Sequence, residues 1–166
     1  MTNDLTADYL RKILLYDPKT GAWVWRARMG ARGKVGDIAG SLNGKGYRQI
    51  GILGRSYRSN RLAFLYMNGE WPEGEVDHDN LDKSDDRWEN LRPASRSKNQ
   101  ANVPLQINNT SGVKGVSWHK PTKKWQSRIM SGRVTKYIGL FDCRAAAHFA
   151  YIIEADKLFG DFARAA

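Results

Sequence analysis

Apolar residues recur at helical spacing near the start of the chain. Leu10, Ile13 and Leu14 share one face of a helix predicted from Leu5 to Tyr16, with Thr6 as its N-cap. Asp17-Pro18-Lys19-Thr20-Gly21 then reads as a turn and Trp23-Val24-Trp25 as a strand. A second turn, Asn43-Gly44-Lys45-Gly46, leads into a strand from Tyr47 to Leu53, and Gly54-Arg55 turns into another short one. Arg61 to Met67 is a short apolar helix, closed by Asn68-Gly69 and stopped near Pro72. The pattern changes abruptly between Val76 and Asn102, where acidic residues crowd together. Val103 to Ser111 has no periodicity and reads as a linker. Beyond it lie three strand-like runs, Gly115 to His119, Lys124 to Met130 and Val134 to Leu140, with turns at Lys120-Pro121 and Ser131-Gly132. An Ala-rich amphipathic helix follows, from about Cys143 to Leu158.

Composition adds a partner to this pattern. The 166 residues carry 27 Lys+Arg against 17 Asp+Glu, a net charge of +10, and a chain this basic ordinarily meets a polyanion, nucleic acid first. A merely soluble basic protein is the bland alternative. The single Cys143 can form no intramolecular disulfide, and no Cys cluster is available for zinc, so a reducing setting is expected. No stretch approaches transmembrane length and the N-terminal MTNDLTADYL is no signal peptide, so a cytoplasmic location is expected.

Asp77, Asp79, Asp82, Asp85, Asp86 and Glu89 are an oddity in a basic protein. Carboxylates repel phosphates unless a cation lies between them. Magnesium prefers hard oxygen ligands, needs only one or two from the protein, and leaves room for phosphate and water. Asp77 beside His78 supplies a ligand and a base together, since a neutral imidazole can take a proton from water. By itself such a pair reads equally as a solvated loop or a weak calcium site.

A wider pattern surrounds the pair. RLAFLYMNGEWPEGEVDH, then Glu89-Asn90-Leu91-Arg92, then Lys98-Asn99, resembles the phage-type HNH endonucleases, including intron-encoded homing nucleases. The resemblance implies an Asp-His pair ending a strand, an omega-like loop, a returning strand begun by Asn-Leu, and a helix bearing the last Asn. Carried over by position, it makes Asp77 and Asn99 metal ligands and His78 the general base. Asn90 ties the loop across and helps orient the histidine. It further implies one Mg2+, or another divalent cation such as Mn2+, per active site, and products with 5′-phosphate and 3′-hydroxyl ends. Three positions depart from the pattern: Asn60 where relatives often have His, Leu81 where the loop often has Gly, and Asp86 where Asn is common.

The segment SGVKGVSWHKPTKKWQSRI, then YIGLFD and the Ala-rich helix resembles the plant Apetala-type (ethylene-response-factor) DNA-binding domain in the version fused to phage HNH nucleases. The resemblance implies a three-stranded sheet in the major groove with a helix behind it. Alternation assigns Val116, Trp118, Ser127 and Ile129 to the helix side. It leaves Ser117, His119, Gln126, Arg128, Met130, Thr135 and Tyr137 toward DNA. Lys114, Lys123 and Lys124 are the natural phosphate or base contacts, while Phe149 and Tyr151 read as packing residues and His148 as a surface or core histidine. Arg26, Arg28, Arg32 and Lys34 surround a Gly-containing loop that either lies along DNA or is simply solvated.

The expected architecture is α+β. A ββα-metal (HNH) core at 56–102 follows an N-terminal α/β extension at 1–55. A linker at 103–111 then leads to a small three-stranded antiparallel sheet packed on one helix at 112–166. The expected function is metal-dependent hydrolysis of phosphodiester bonds, nicking double-stranded DNA, by a monomer or weak dimer needing no small-molecule cofactor. The rival is a non-catalytic DNA-binding regulator with a degenerate HNH site. An RNA-binding, ribosome-associated protein is a third reading, which the acidic cluster opposes.

Overall fold

The computed structural model describes residues 5–30 and 33–163. It is a mixed helix-and-sheet protein with several small antiparallel sheets, organised as two units, Met1–Pro93 and Ala94–Ala166. Arg32, one of the basic-loop residues, lies outside the described residues.

In the first unit, α1 (Ala7–Ile13) begins at Thr6, whose side chain accepts from the Tyr9 backbone N–H. The helix is shorter than its apolar spacing predicts. Leu14–Tyr16 leaves it as β1, pairing antiparallel with β2 (Trp23–Trp25) in the register Leu14 to Trp25 and Tyr16 to Trp23. Alternation explains the change: Leu14 and Tyr16 are buried while Leu15 is exposed, a period of two rather than 3.6. A three-stranded antiparallel sheet follows, with β4 (Arg48–Ile52) between β3 (Ser41–Leu42) and β5 (Arg55–Arg58). Next comes α2 (Ser59–Asn68), closed by Gly69 in the left-handed conformation that its missing Cβ permits. The unit ends with β6 (Glu75–His78) paired to β7 (Leu91–Ala94), joined by the acidic loop and a 3₁₀ turn at Trp88–Asn90.

Trp23, Leu10, Leu14, Ile50, Ile52 and Leu62 fill the interior of this unit. Tyr16, Trp23 and Tyr66 meet ring to ring, with centroids 4.7–5.9 Å apart. This is the geometry aromatic quadrupoles favour. The β1–β2 turn also braces the acidic loop, because the Trp88 N–H donates to the Pro18 carbonyl at 2.9 Å.

The second unit opens with α3 (Arg96–Asn102), capped by Ser95, and continues irregularly to β8 (Val116–His119). Strands β8, β9 (Lys124–Ser131) and β10 (Val134–Phe141) form an antiparallel sheet with β9 central. Helix α4 (Arg144–Phe159) packs on it through Ala147, Tyr151, Ala155 and Phe159, against Ile129. Ser127 and Ile129 are buried, and Trp118, on the same face by alternation, is half exposed and meets Trp125 edge-on. Phe149 is likewise no packing residue: it is exposed, because its position on α4 turns it away from the buried stripe. Tyr151 is buried.

Gly21 combines a φ of +71° with an ideal Cβ position 2.5 Å from the Asp86 backbone carbon. Gly21→Ala is expected to lower stability by more than about 1 kcal/mol. Thermal unfolding measures the loss, and an unchanged midpoint would show that the turn does not brace Asp86.

Candidate active site around His78

Strand β6 presents Val76, Asp77 and His78 as a buried run at its C-terminal end. Two side chains from the start of α2 fix what surrounds it. The Asn60 amide donates to the Val76 carbonyl at 3.2 Å, holding β6 against the helix. Ser59, also buried, donates its one hydroxyl hydrogen to Asp86 Oδ2, with its Oγ 3.2 Å from the Arg48 carbonyl. Asn60, a departure from the family pattern, thus has a structural use of its own.

His78 and Asp86 form the centre of the site. His78 Nε2 lies 3.0 Å from Asp86 Oδ1, and both side chains are at most 3% exposed. A carboxylate only accepts, so Nε2 carries the hydrogen and the basic lone pair of the neutral ring belongs to Nδ1. Asp86 is held at every polar atom named so far: Oδ1 by His78, Oδ2 by Ser59, and its backbone carbonyl by the Tyr16 hydroxyl at 2.6 Å. Burial and the nearby Asp86 carboxylate push the Tyr16 phenol well above its ordinary range, so it remains a donor.

The loop between His78 and Asn90 is shaped from within. The Asn80 N–H donates to Asn90 Oδ1 at 2.9 Å, and Asn90 Nδ2 donates to the Asp85 carbonyl at 2.8 Å. The Asp79 N–H bonds the Asn90 backbone carbonyl at 2.9 Å. Asn90 therefore ties the two ends of the loop together and does not itself bond His78 through these contacts. Leu81 takes the left-handed conformation, φ +68°, that glycine would adopt without strain. The loop keeps its course there at a conformational cost of about 1–2 kcal/mol.

Much of the acidity is answered inside the protein. Arg87 donates to both oxygens of Asp85, at 2.9 and 2.8 Å, and holds that carboxyl down to about 2. Ser84 donates twice to Asp82 Oδ1 and lowers its carboxyl as well. Arg92 Nε donates to Asp77 Oδ2 at 3.1 Å, with Nη2 3.0 Å from the same oxygen but off the hydrogen-bonding direction, while Nη1 lies 2.6 Å from Asp79 Oδ1. Asp77 is thus a hard oxygen donor that already attracts a cation. Among the described residues no group of three or more His, Cys, Asp or Glu side chains could hold a metal ion. The donor set fits a cation that takes one or two protein ligands and completes its shell with water or phosphate, the habit of magnesium.

Asn99 lies on α3, in the second unit, half-buried. On the sheet of that unit, Arg128 and Tyr137 are directly opposite and exposed, and Ser117 pairs with Gln126. His119 Nδ1 meets the Thr122 hydroxyl at 2.8 Å, Lys124 Nζ lies 3.0 Å from Asp142, and Lys123 is exposed on the β8–β9 turn. Lys114 is used internally: its Nζ donates to the Ala101 carbonyl at the end of α3, 3.0 Å away. Sequence reasoning missed Ser59, Tyr16 and Arg92 altogether, and noticed Asp86 only as a departure. The Asn-Leu-Arg run was the one local signal for Arg92.

Residues 57–101 match the family model described as HNH endonuclease, so an HNH endonuclease domain occupies this stretch. A phage relative is also found. The chain is 36% identical over 63 residues to Protein 3.8 of Escherichia phage T7, an alignment covering 37% of this chain and 52% of that protein. The chain therefore spans about half the length of the curated relative it matches. No solved structure matches. No helix among the described residues is long and apolar enough to cross a membrane.

Asp86→Ala leaves a buried imidazole N–H without its acceptor and the Ser59 hydroxyl with only the Arg48 carbonyl, and should cost about 2 kcal/mol or more. Asp86→Asn keeps an acceptor for His78 and should stay within about 1 kcal/mol of the parent. Chemical denaturation of the two variants checks the order; equal losses would show that the negative charge, not an acceptor for His78, decides.

Proposed function

We propose that this chain is a metal-dependent HNH endonuclease that hydrolyses phosphodiester bonds in double-stranded DNA, nicking one strand per catalytic event. The observation that carries the reading is His78, fixed through Nε2 by a buried carboxylate and adjacent in sequence to Asp77. A base must be held in one tautomer and one orientation to take a proton from water in a single direction. Asp86 does both. Asn90 shapes the loop that borders the base.

Asp77 and Asn99 would hold a divalent cation, Mg2+ or Mn2+. Such an ion supplies Lewis-acid stabilisation of charge developing on the phosphate and on the leaving oxygen. His78 Nδ1 accepts the proton of the attacking water, and Asp86 stabilises the imidazolium this creates. Arg92 neutralises Asp77 and Asp79 in the protein by itself, so that entry of another cation at Asp77 requires the guanidinium to yield. A net +10 chain brings these groups to an anionic substrate.

The second unit would add a DNA contact through the outer face of β8–β10, by way of Ser117, His119, Lys123, Lys124, Arg128 and Tyr137. The proposed family of this unit is the Apetala type, and its proposed extent is 112–166 after a linker at 103–111. The nuclease core would extend over 56–102, with ββα-metal as its proposed fold. A non-catalytic DNA-binding regulator is the second reading, and the closure of Arg92 on Asp77 is the observation that favours it.

Supercoiled plasmid incubated with the protein separates the two. Mg2+ should yield nicked circle, chelator should abolish it, and His78→Ala and Asp86→Ala should lower the rate by roughly 10-fold or more, while Asp86→Asn loses less. A wild-type protein that shifts DNA on a gel yet never nicks it in Mg2+ or Mn2+ establishes the regulator instead. Replacing Lys123 and Lys124 by Gln should weaken DNA binding and reduce the steepness of its salt dependence. Unchanged affinity would remove the outer sheet face from the interface.

A further inference from the structure

Two cations of the first unit stand apart from the other basic residues near the site. Arg87 and Arg92 are committed to carboxylates, and Arg61 to the carbonyls of Gly74 and Pro72. Arg58 and Lys83 are exposed, and no hydrogen bond or ion pair among the described residues involves either side chain. Both instead lie against one aromatic ring. The Arg58 guanidinium carbon is 4.5 Å from the centroid of Tyr47, and Lys83 Nζ is 5.3 Å from it. That same ring is 5.9 Å from the imidazole of His78.

The convergence is built by distant parts of the chain. Arg58 ends β5, Lys83 comes from the acidic loop, and Tyr47 immediately precedes β4, the central strand of the sheet. Tyr47 is fixed by the Asn43 turn: its N–H donates to Asn43 Oδ1 at 3.1 Å, and its carbonyl accepts from the Asn43 N–H at 2.8 Å. Two like charges brought to one ring repel each other. The ring face attracts both, but an anion between or beside them would satisfy them better. The anion the proposed reaction supplies is a phosphodiester.

We infer that Tyr47, Arg58 and Lys83 form a phosphate-gripping rim beside His78, which holds the DNA backbone next to the base. The ligand class is a nucleic-acid phosphate, recognised by charge and not by sequence. This rests on the nuclease reading for its substrate, but it is tested through binding alone.

The test is fluorescence anisotropy of a short labelled duplex with the full-length protein in chelator, so that no strand is cut, over a range of salt. Arg58→Gln and Lys83→Gln should each weaken binding several-fold at low salt and reduce the slope of log K against log salt by about 1. Arg55→Gln removes the same charge from the opposite face of β5 and should leave the slope near that of wild type. Tyr47→Phe should bind as wild type does. Tyr47→Ala should weaken binding without changing the net charge, the result that a purely electrostatic surface would not give. Thermal melts of each variant exclude loss of fold. If wild type binds and the Arg58 and Lys83 variants keep its slope, or merely match Arg55→Gln, the rim is wrong and the nuclease reading is untouched. If wild type does not bind duplex at any salt, the nucleic-acid reading fails and takes the rim with it.

Discussion

The arrangement of the first unit depends on one buried carboxylate. Asp86 is 2% exposed, and an ionised group so placed is tolerable only when its oxygens are occupied. His78 from β6 and Ser59 from α2 meet that requirement, while Tyr16 from β1 holds the Asp86 backbone carbonyl and Gly21 allows the β1–β2 turn to close on its backbone. The contacts of this one residue, through its carboxylate and its backbone, therefore join the N-terminal extension, the first helix of the HNH domain and the strand carrying the Asp-His pair. Stability and site geometry are here a single problem.

Local regularities in the chain were readable because local rules produce them. Helical spacing marked α1 and α4, turn residues marked the hairpins, and alternation placed Ser127 and Ile129 inside the second sheet. Where competing periods overlapped, the reading ran too far: Leu14 fits a helical stripe, yet its pairing with Trp25 makes it a strand residue. Trp118 shares that face yet stays half exposed, since alternation gives the face of a sheet but not the extent of the helix that covers it.

The candidate site was legible in its anchors and not in its supports. Asp77 and His78 are neighbours in sequence, and the Asn-Leu run follows at a recognisable distance, so a motif can hold them. The partners of Asp86 lie 27 residues away at Ser59 and 70 away at Tyr16, and nothing local distinguishes either. The acidic loop shows the complementary error. Counting its carboxylates suggested a strong demand for an external cation, but Arg87 and Arg92 meet part of that demand, because side chains a few positions on fold back across the loop.

Leu81 has a consequence for how such domains are recognised. Its left-handed backbone is enforced by the ties between Asn80, Asn90 and Asp85, so the path of the loop is dictated by its cross-links, not by the residue at its tip. A glycine there lowers the cost of the turn without being what defines it. A rule for such loops keyed to glycine would pass over this chain, whose loop takes the left-handed turn with Leu81. In this chain the hydrogen bonds of Asn80 and Asn90 mark the shape.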